Sequence, residues 1–171
     1  MDRVLYGEDH EAFREVVKAF VKRYVTTADR ERWDEEGEVD RATMRAAGDS
    51  GLIGLSVPEE FGGAGMMQDY RYRAIVNEEI ILAGAGSLAG AFGIQDDLAV
   101  PYIVHFGTDE QKAKWLPGMA TGEVIGALAM TEPGAGSDLR GVSTTAKKVE
   151  GGYIVNGAKT FISSGKTADL I

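Results

Sequence analysis

At Val124 the apolar residues of this 171-residue chain change period, and a chain that changes period must change layer. Before that point the spacing is helical. Phe13, Val16, Val17, Phe20, Val21 and Tyr24 recur at intervals of three and one, which places them on one helix face, with Lys18, Lys22 and Arg23 on the other sides. This pattern predicts a helix over about 8–26. A second is predicted over about 40–51, with Asp40 as N-cap and Ser50-Gly51 as a stop. Two longer helices follow over about 67–83 and about 87–105, and Pro101 inside the latter removes a backbone donor and predicts a kink. The capping box from Thr108 to Gln111 opens a last helix over about 109–121. The acidic run Asp34, Glu35, Glu36 and Glu38, broken by Gly37, reads as a solvated connector between helices.

From Val124 onward the pattern is one of short strands, over about 124–130, 143–150, 153–155 and 158–163. Glu150-Gly151-Gly152 reads as a turn. Asn156-Gly157 between apolar runs reads as a hairpin turn, because both positions accept a positive φ. The expected fold is α+β: an N-terminal all-α helical bundle over 1–122, then an incomplete antiparallel β-domain over 123–171.

Composition narrows the function classes. With 44% hydrophobic residues the chain can build a core, and a net charge of −9 argues against nucleic acid as a partner. No stretch approaches the roughly twenty apolar residues of a membrane span. Met1-Asp2-Arg3 leads into a charged helix rather than a signal-peptide core, so a soluble cytoplasmic protein is expected. The absence of cysteine excludes disulfides, thiolate metal sites and a thiol nucleophile. His10 and His105 stand far apart without ligand-like spacing and read as ordinary helix residues, so no metal site is expected.

Chemistry concentrates in the run Ala129-Met130-Thr131-Glu132-Pro133-Gly134-Ala135-Gly136-Ser137-Asp138, directly behind an apolar stretch. Gly134 and Gly136 let the backbone approach a ligand and aim N–H groups at an anionic oxygen, while Thr131 and Ser137 add hydroxyls. Taken alone, the same run also reads as a tight turn in which Asp138 bonds back to local N–H groups. Its third dinucleotide-fingerprint glycine is missing, as is the Gly-Lys-Ser/Thr ending of a P-loop. About twenty-five residues later comes Lys159-Thr160-Phe161-Ile162-Ser163, where strand alternation would set Phe161 and Ser163 on one face and Ile162 on the other. Glu132, just before Pro133, reads as a structural cap or ion-pair partner rather than a catalytic base.

Together these two segments resemble the flavin-binding signature of the acyl-CoA dehydrogenases. Upstream stretches are similar to that family as well: Pro58-Glu59-Glu60-Phe61-Gly62-Gly63, Phe106 to Lys112, and Trp115-Leu116-Pro117. The resemblance implies FAD as cofactor, an acyl-CoA thioester as substrate, and α,β-desaturation with electrons leaving to an electron-transfer flavoprotein. It implies flavin contacts from Leu128, Met130, Thr131, Gly136, Ser137, Phe161, Ile162 and Ser163, with Phe161 against the ring and the Ser163 hydroxyl toward its N5. Gln95 and Ser137 would touch substrate, and the acids Asp96 and Asp97 stand where family helices line the acyl cavity, or else face solvent. The family holds its base glutamate in a C-terminal helical bundle, so no catalytic residue is assigned. The chain is expected to be a truncated amino-terminal part that is inactive alone, whose intact enzyme forms a homo-oligomer. A flavin-dependent oxidase or monooxygenase on the same scaffold, and a non-catalytic helical fragment, remain the alternatives.

Overall fold

A computed structural model describes residues 5–171; the reading of Met1-Asp2-Arg3 lies outside the described residues. The chain is mostly helical and ends in a two-stranded antiparallel sheet, as the change of period requires. Helix α1 spans Glu8–Tyr24 and buries Val17 and Phe20, with Phe13, Val21 and Tyr24 packed beside them. Val16, expected on the same face, is exposed. His10 is buried: its Nδ1 accepts from the Gly7 N–H, and its Nε2 lies 3.2 Å from the Asp69 carboxylate.

The acidic run is not a connector. Asp34, Glu35 and Glu36 end α2, Thr27–Glu36, and only Gly37 and Glu38 lie beyond it; the sequence reading missed this helix because it is charged nearly all round and buries only Trp33. Its start is marked all the same. Thr26 caps the Asp29 N–H while Asp29 reaches back to Thr26, and Gly37 closes the helix in the left-handed region at φ 68°. Helix α3, Arg41–Asp49, begins from Asp40 as expected.

Helix α4, Tyr70–Leu82, lies against α1 and sends Ile75, Val76 and Ile80 into the core. Helix α5, Gly86–Gly93, runs on through a π-helical segment, Ile94–Ala99, into α6, Val100–Phe106. The expected bend takes this form: the widened turn precedes Pro101, so the donor that proline lacks falls at the start of a new helix, where no partner is needed. Helix α7, Asp109–Ala120, opens with the expected Thr108–Gln111 capping box.

A first core cluster joins α1 to α5 around Trp33, Met44, Leu52, Ile75, Leu88 and Phe92; a second, around Val57, Val100, Leu116 and Met119, lies under α6 and α7. Gly54 must be glycine. Its φ is 77°, and a Cβ there would sit 2.8 Å from the Ala120 Cα.

The strand region departs further from expectation. Strand β1, Thr145–Val149, pairs with β2, Gly152–Asn156, across the Glu150-Gly151 turn, with Val149 opposite Gly152 and Thr145 opposite Asn156. Asn156-Gly157 is not a hairpin turn, because no strand follows it to pair with the free edge of β2. Residues 158–163 form no strand; they lie beside 130–132 instead. Residues 124–130 are extended without a ladder, apart from a parallel bridge between Gly126 and Leu170. Among the described residues no helix is long and apolar enough to cross a membrane.

Candidate functional site

Two segments separated by nearly thirty residues meet through their backbones. The Thr160 N–H donates to the Thr131 carbonyl at 3.0 Å, and the Lys159 ammonium donates to the Met130 carbonyl at 2.9 Å. Lys159 also reaches Glu132 at 2.9 Å. Glu132 is buried and collects three more donors: the Ser143 N–H, the Ser143 hydroxyl and the Thr144 N–H. Hydrogen bonds from Thr144 and Ser143, followed by that of the Lys159 ammonium, hold its carboxyl far below the usual carboxylate range. A carboxylate so occupied has no lone pair aimed at a substrate proton. It clamps 130–132 to 143–144 and to 159–160.

This clamp shapes the glycine loop. Glu132 and Ala135 exchange backbone hydrogen bonds of 2.9 and 3.1 Å across Pro133-Gly134, and Asp138 turns back onto the Arg140 N–H. Gly134 and Gly136 do not have positive φ, and a Cβ on either would meet no atom within 4 Å. Neither strain nor crowding calls for glycine at these positions. Among the described residues, the N–H groups of Gly134, Gly136 and Ser137 donate to no protein acceptor, as an anion-binding loop requires.

The structure separates residues that strand alternation had placed together. Phe161 and Ser164 adopt left-handed backbone at φ 55° and 60°, so 161–168 is a series of turns. Phe161 is 93% exposed and lines a cavity of about 410 Å³ with Ala129, Ile162 and Ile171. Ser163 instead lines a second cavity, of about 500 Å³, with Ser164, the end of α2 and the first turns of α5. An exposed aromatic ring on strained backbone marks a position shaped for something other than the core. Leu128, Thr131 and Ile162 are half-buried, while Met130, Gly136 and Ser137 are exposed.

Gln95 does not face a ligand. It is fully buried; its amide nitrogen donates to the Met119 and Val124 carbonyls at 3.0 and 2.9 Å, and its oxygen accepts from the Gly126 N–H at 2.8 Å. The expectation that it touches substrate is corrected: it ties the π segment to the passage out of the helices. Asp96 is not solvated either. It is buried and accepts from the Gly54 and Leu55 N–H groups, while Asp97 pairs with Arg73 at 3.1 Å.

Comparison with known proteins places the whole chain. Residues 7–123 match the family model of the acyl-CoA dehydrogenase N-terminal domain, and residues 127–171 match that of its middle domain. The mouse protein named long-chain specific acyl-CoA dehydrogenase, mitochondrial, is 41% identical over 169 residues, covering 99% of this chain and 38% of its own length. The crystal structure of an acyl-CoA dehydrogenase from Geobacillus kaustophilus superposes with a TM-score of 0.90 at 40% identity, over 99% of this chain and 44% of that one. An acyl-CoA dehydrogenase from Bacillus anthracis, complexed with FAD, gives a TM-score of 0.85 at 34% identity, over 100% of this chain and 29% of that one. The chain thus spans well under half the length of these proteins.

Proposed function

The chain belongs to the acyl-CoA dehydrogenase family, and from that premise we propose that it forms the helical domain and one wall of the flavin site of an FAD-dependent enzyme desaturating acyl-CoA thioesters. The division falls at 122/123, between the helices and the flavin-binding part. The observation that supports this reading is the hydrogen bond from Thr160 to Thr131, which brings the glycine loop beside the segment leading into Phe161.

There the N–H groups of Gly136 and Ser137 would hold pyrophosphate oxygens, of the cofactor or of the thioester, and Thr131 would donate to the flavin. Phe161, exposed, would stack on the flavin ring, Leu128, Met130 and Ile162 would exclude water around it, and the Ser163 hydroxyl would be available as a donor to it. Bound FAD supplies the acceptor for the hydride that leaves the β-carbon of the thioester. Glu132 takes no proton in this scheme; with four donors on its carboxylate it keeps the loop in place. Electrons pass onward to an electron-transfer flavoprotein, and the intact enzyme is a homo-oligomer.

Titration of FAD into the protein, followed in the visible spectrum, tests the assignment. A saturable perturbation is expected, and Phe161→Ala should weaken binding by about five- to tenfold through loss of ring stacking. An unperturbed flavin spectrum at high protein concentration would refute it.

A further inference from the structure

The cavity that Ser163 and Ser164 share with α2 and α5 has a charge pattern that the flavin reading does not use. Its α2 wall exists because Gly37 turns the chain back at φ 68°, its N–H and that of Glu38 both returning to the Trp33 carbonyl. This reversal sets Asp34 and Glu38 on one side of the space. The Ser87 hydroxyl donates to Asp34 at 2.7 Å and so fastens the end of α2 to the first turn of α5. Glu38 is half-buried and, among the described residues, its carboxylate makes no hydrogen bond or ion pair. No lysine or arginine lines the cavity; Lys166, on the adjoining turn, donates to the Glu36 carbonyl instead. On α5, Gly90 also lines the cavity, and a Cβ there would meet no atom within 4 Å.

We propose that this cavity receives the acyl tail of the thioester and, through Glu38 and Asp34, admits uncharged tails while rejecting tails that end in a carboxylate. The proposal rests on the acyl-CoA reading above. An apolar tail entering beside Gly90 displaces water at no electrostatic cost. A terminal carboxylate would be partly desolvated next to two like charges with no cation to offset them.

Calorimetric titration of the protein with pentanoyl-CoA and glutaryl-CoA, equal in carbon count and differing in the terminal group, tests this directly. Glutaryl-CoA is expected to bind at least about tenfold more weakly, with the gap widening at low salt as screening falls. Glu38→Gln should narrow the gap several-fold by strengthening glutaryl-CoA alone. Gly90→Leu should weaken pentanoyl-CoA while leaving the binding of free CoA unchanged, since it fills only the tail compartment. Equal affinity for the two thioesters, or a gap untouched by Glu38→Gln together with a silent Gly90→Leu, overturns the inference and leaves the acyl-CoA reading intact. Failure of CoA and both thioesters to bind overturns that reading and the inference with it.

Discussion

Asp96 shows how far a single side chain can depart from what its neighbours in sequence suggest. Burial raises its carboxyl to about 6, against the opposing pull of the Arg73 guanidinium and the Gly54 and Leu55 N–H groups; Asp97 adds to the rise. Because its folded pKa lies above the ordinary carboxylate value, the folded state binds the proton more tightly. Its contribution to stability is therefore complete at low pH and lost as pH rises from about 4 to about 6, an effect of about 3 kcal/mol. Urea denaturation across that range should show wild type losing stability relative to Asp96→Asn; a difference between the two that does not vary with pH would contradict the assignment. None of this was legible in the Gln95-Asp96-Asp97 run. A 3.6-residue period cannot foretell a π turn, and the π turn is what rotates Gln95 and Asp96 inward to backbone partners.

At the scale of elements, legibility followed the caps and faces. Asp40 was readable as an N-cap from its type and position, and in the structure it accepts from the Thr43 N–H at 2.9 Å, the Trp33 indole at 2.9 Å and Arg32 at 2.8 Å. Burial opposes its ionisation, but the indole, the Thr43 amide and Arg32 together draw its carboxyl down to about 2. Asp40→Ala should cost about 2 kcal/mol at neutral pH, since both a helix cap and a buried indole N–H lose their acceptor. A depressed folded pKa places this contribution above pH 4 and removes it as pH falls toward 2, so the variant's deficit in urea melts should shrink in acid. Helix α2 was missed because it lacks an apolar face, although Thr26 and Asp29 carried its capping box in plain view. The strands were the least legible part. Asn156-Gly157 fits a hairpin locally, but the pairing of β2 was decided by Glu150-Gly151, three residues before the run Ile154-Val155, and local turn chemistry does not rank two candidate turns. The family resemblance implied that the two motifs serve one site, and Glu132 was readable as a cap or ion-pair partner, which its contacts bear out; that its cation is Lys159, and that 130–132 meets 159–160 through the backbone, was not legible.

For the molecule as a whole, the decisive stretch is 124–127, where the chain leaves the helices and its backbone has no ladder to join. It is fixed from two sides. From within, Gln95 binds the Val124 carbonyl and the Gly126 N–H. From without, 169–170 lies alongside: the Asp169 carboxylate accepts from the Ile125 N–H at 2.9 Å, the Asp169 N–H returns to the Ile125 carbonyl at 2.8 Å, and the Leu170 carbonyl accepts from the Ala127 N–H at 2.8 Å. Arg41 at the start of α3 anchors this outer strip, donating to Glu123, Thr167 and Asp169. The surface carrying Met130 and Thr131 is thus oriented against the helices by contacts more than a hundred residues apart in sequence, such as Arg41 with Asp169. The two sides differ in burial, since Gln95 has no exposed surface and Asp169 is about a third exposed at its side chain. They should accordingly differ in local stability. In Asp169→Ala, amide exchange at Ile125 is expected to accelerate by about tenfold or more and that at Ala127 to follow as the strip loosens, while the Gly126 amide, bonded to Gln95, stays protected. Arg41→Ala should produce the same pattern more weakly, because its ion pair is partly screened by solvent. Uniform acceleration at 125, 126 and 127 would mean that the passage opens as one unit and that Gln95 does not hold it independently.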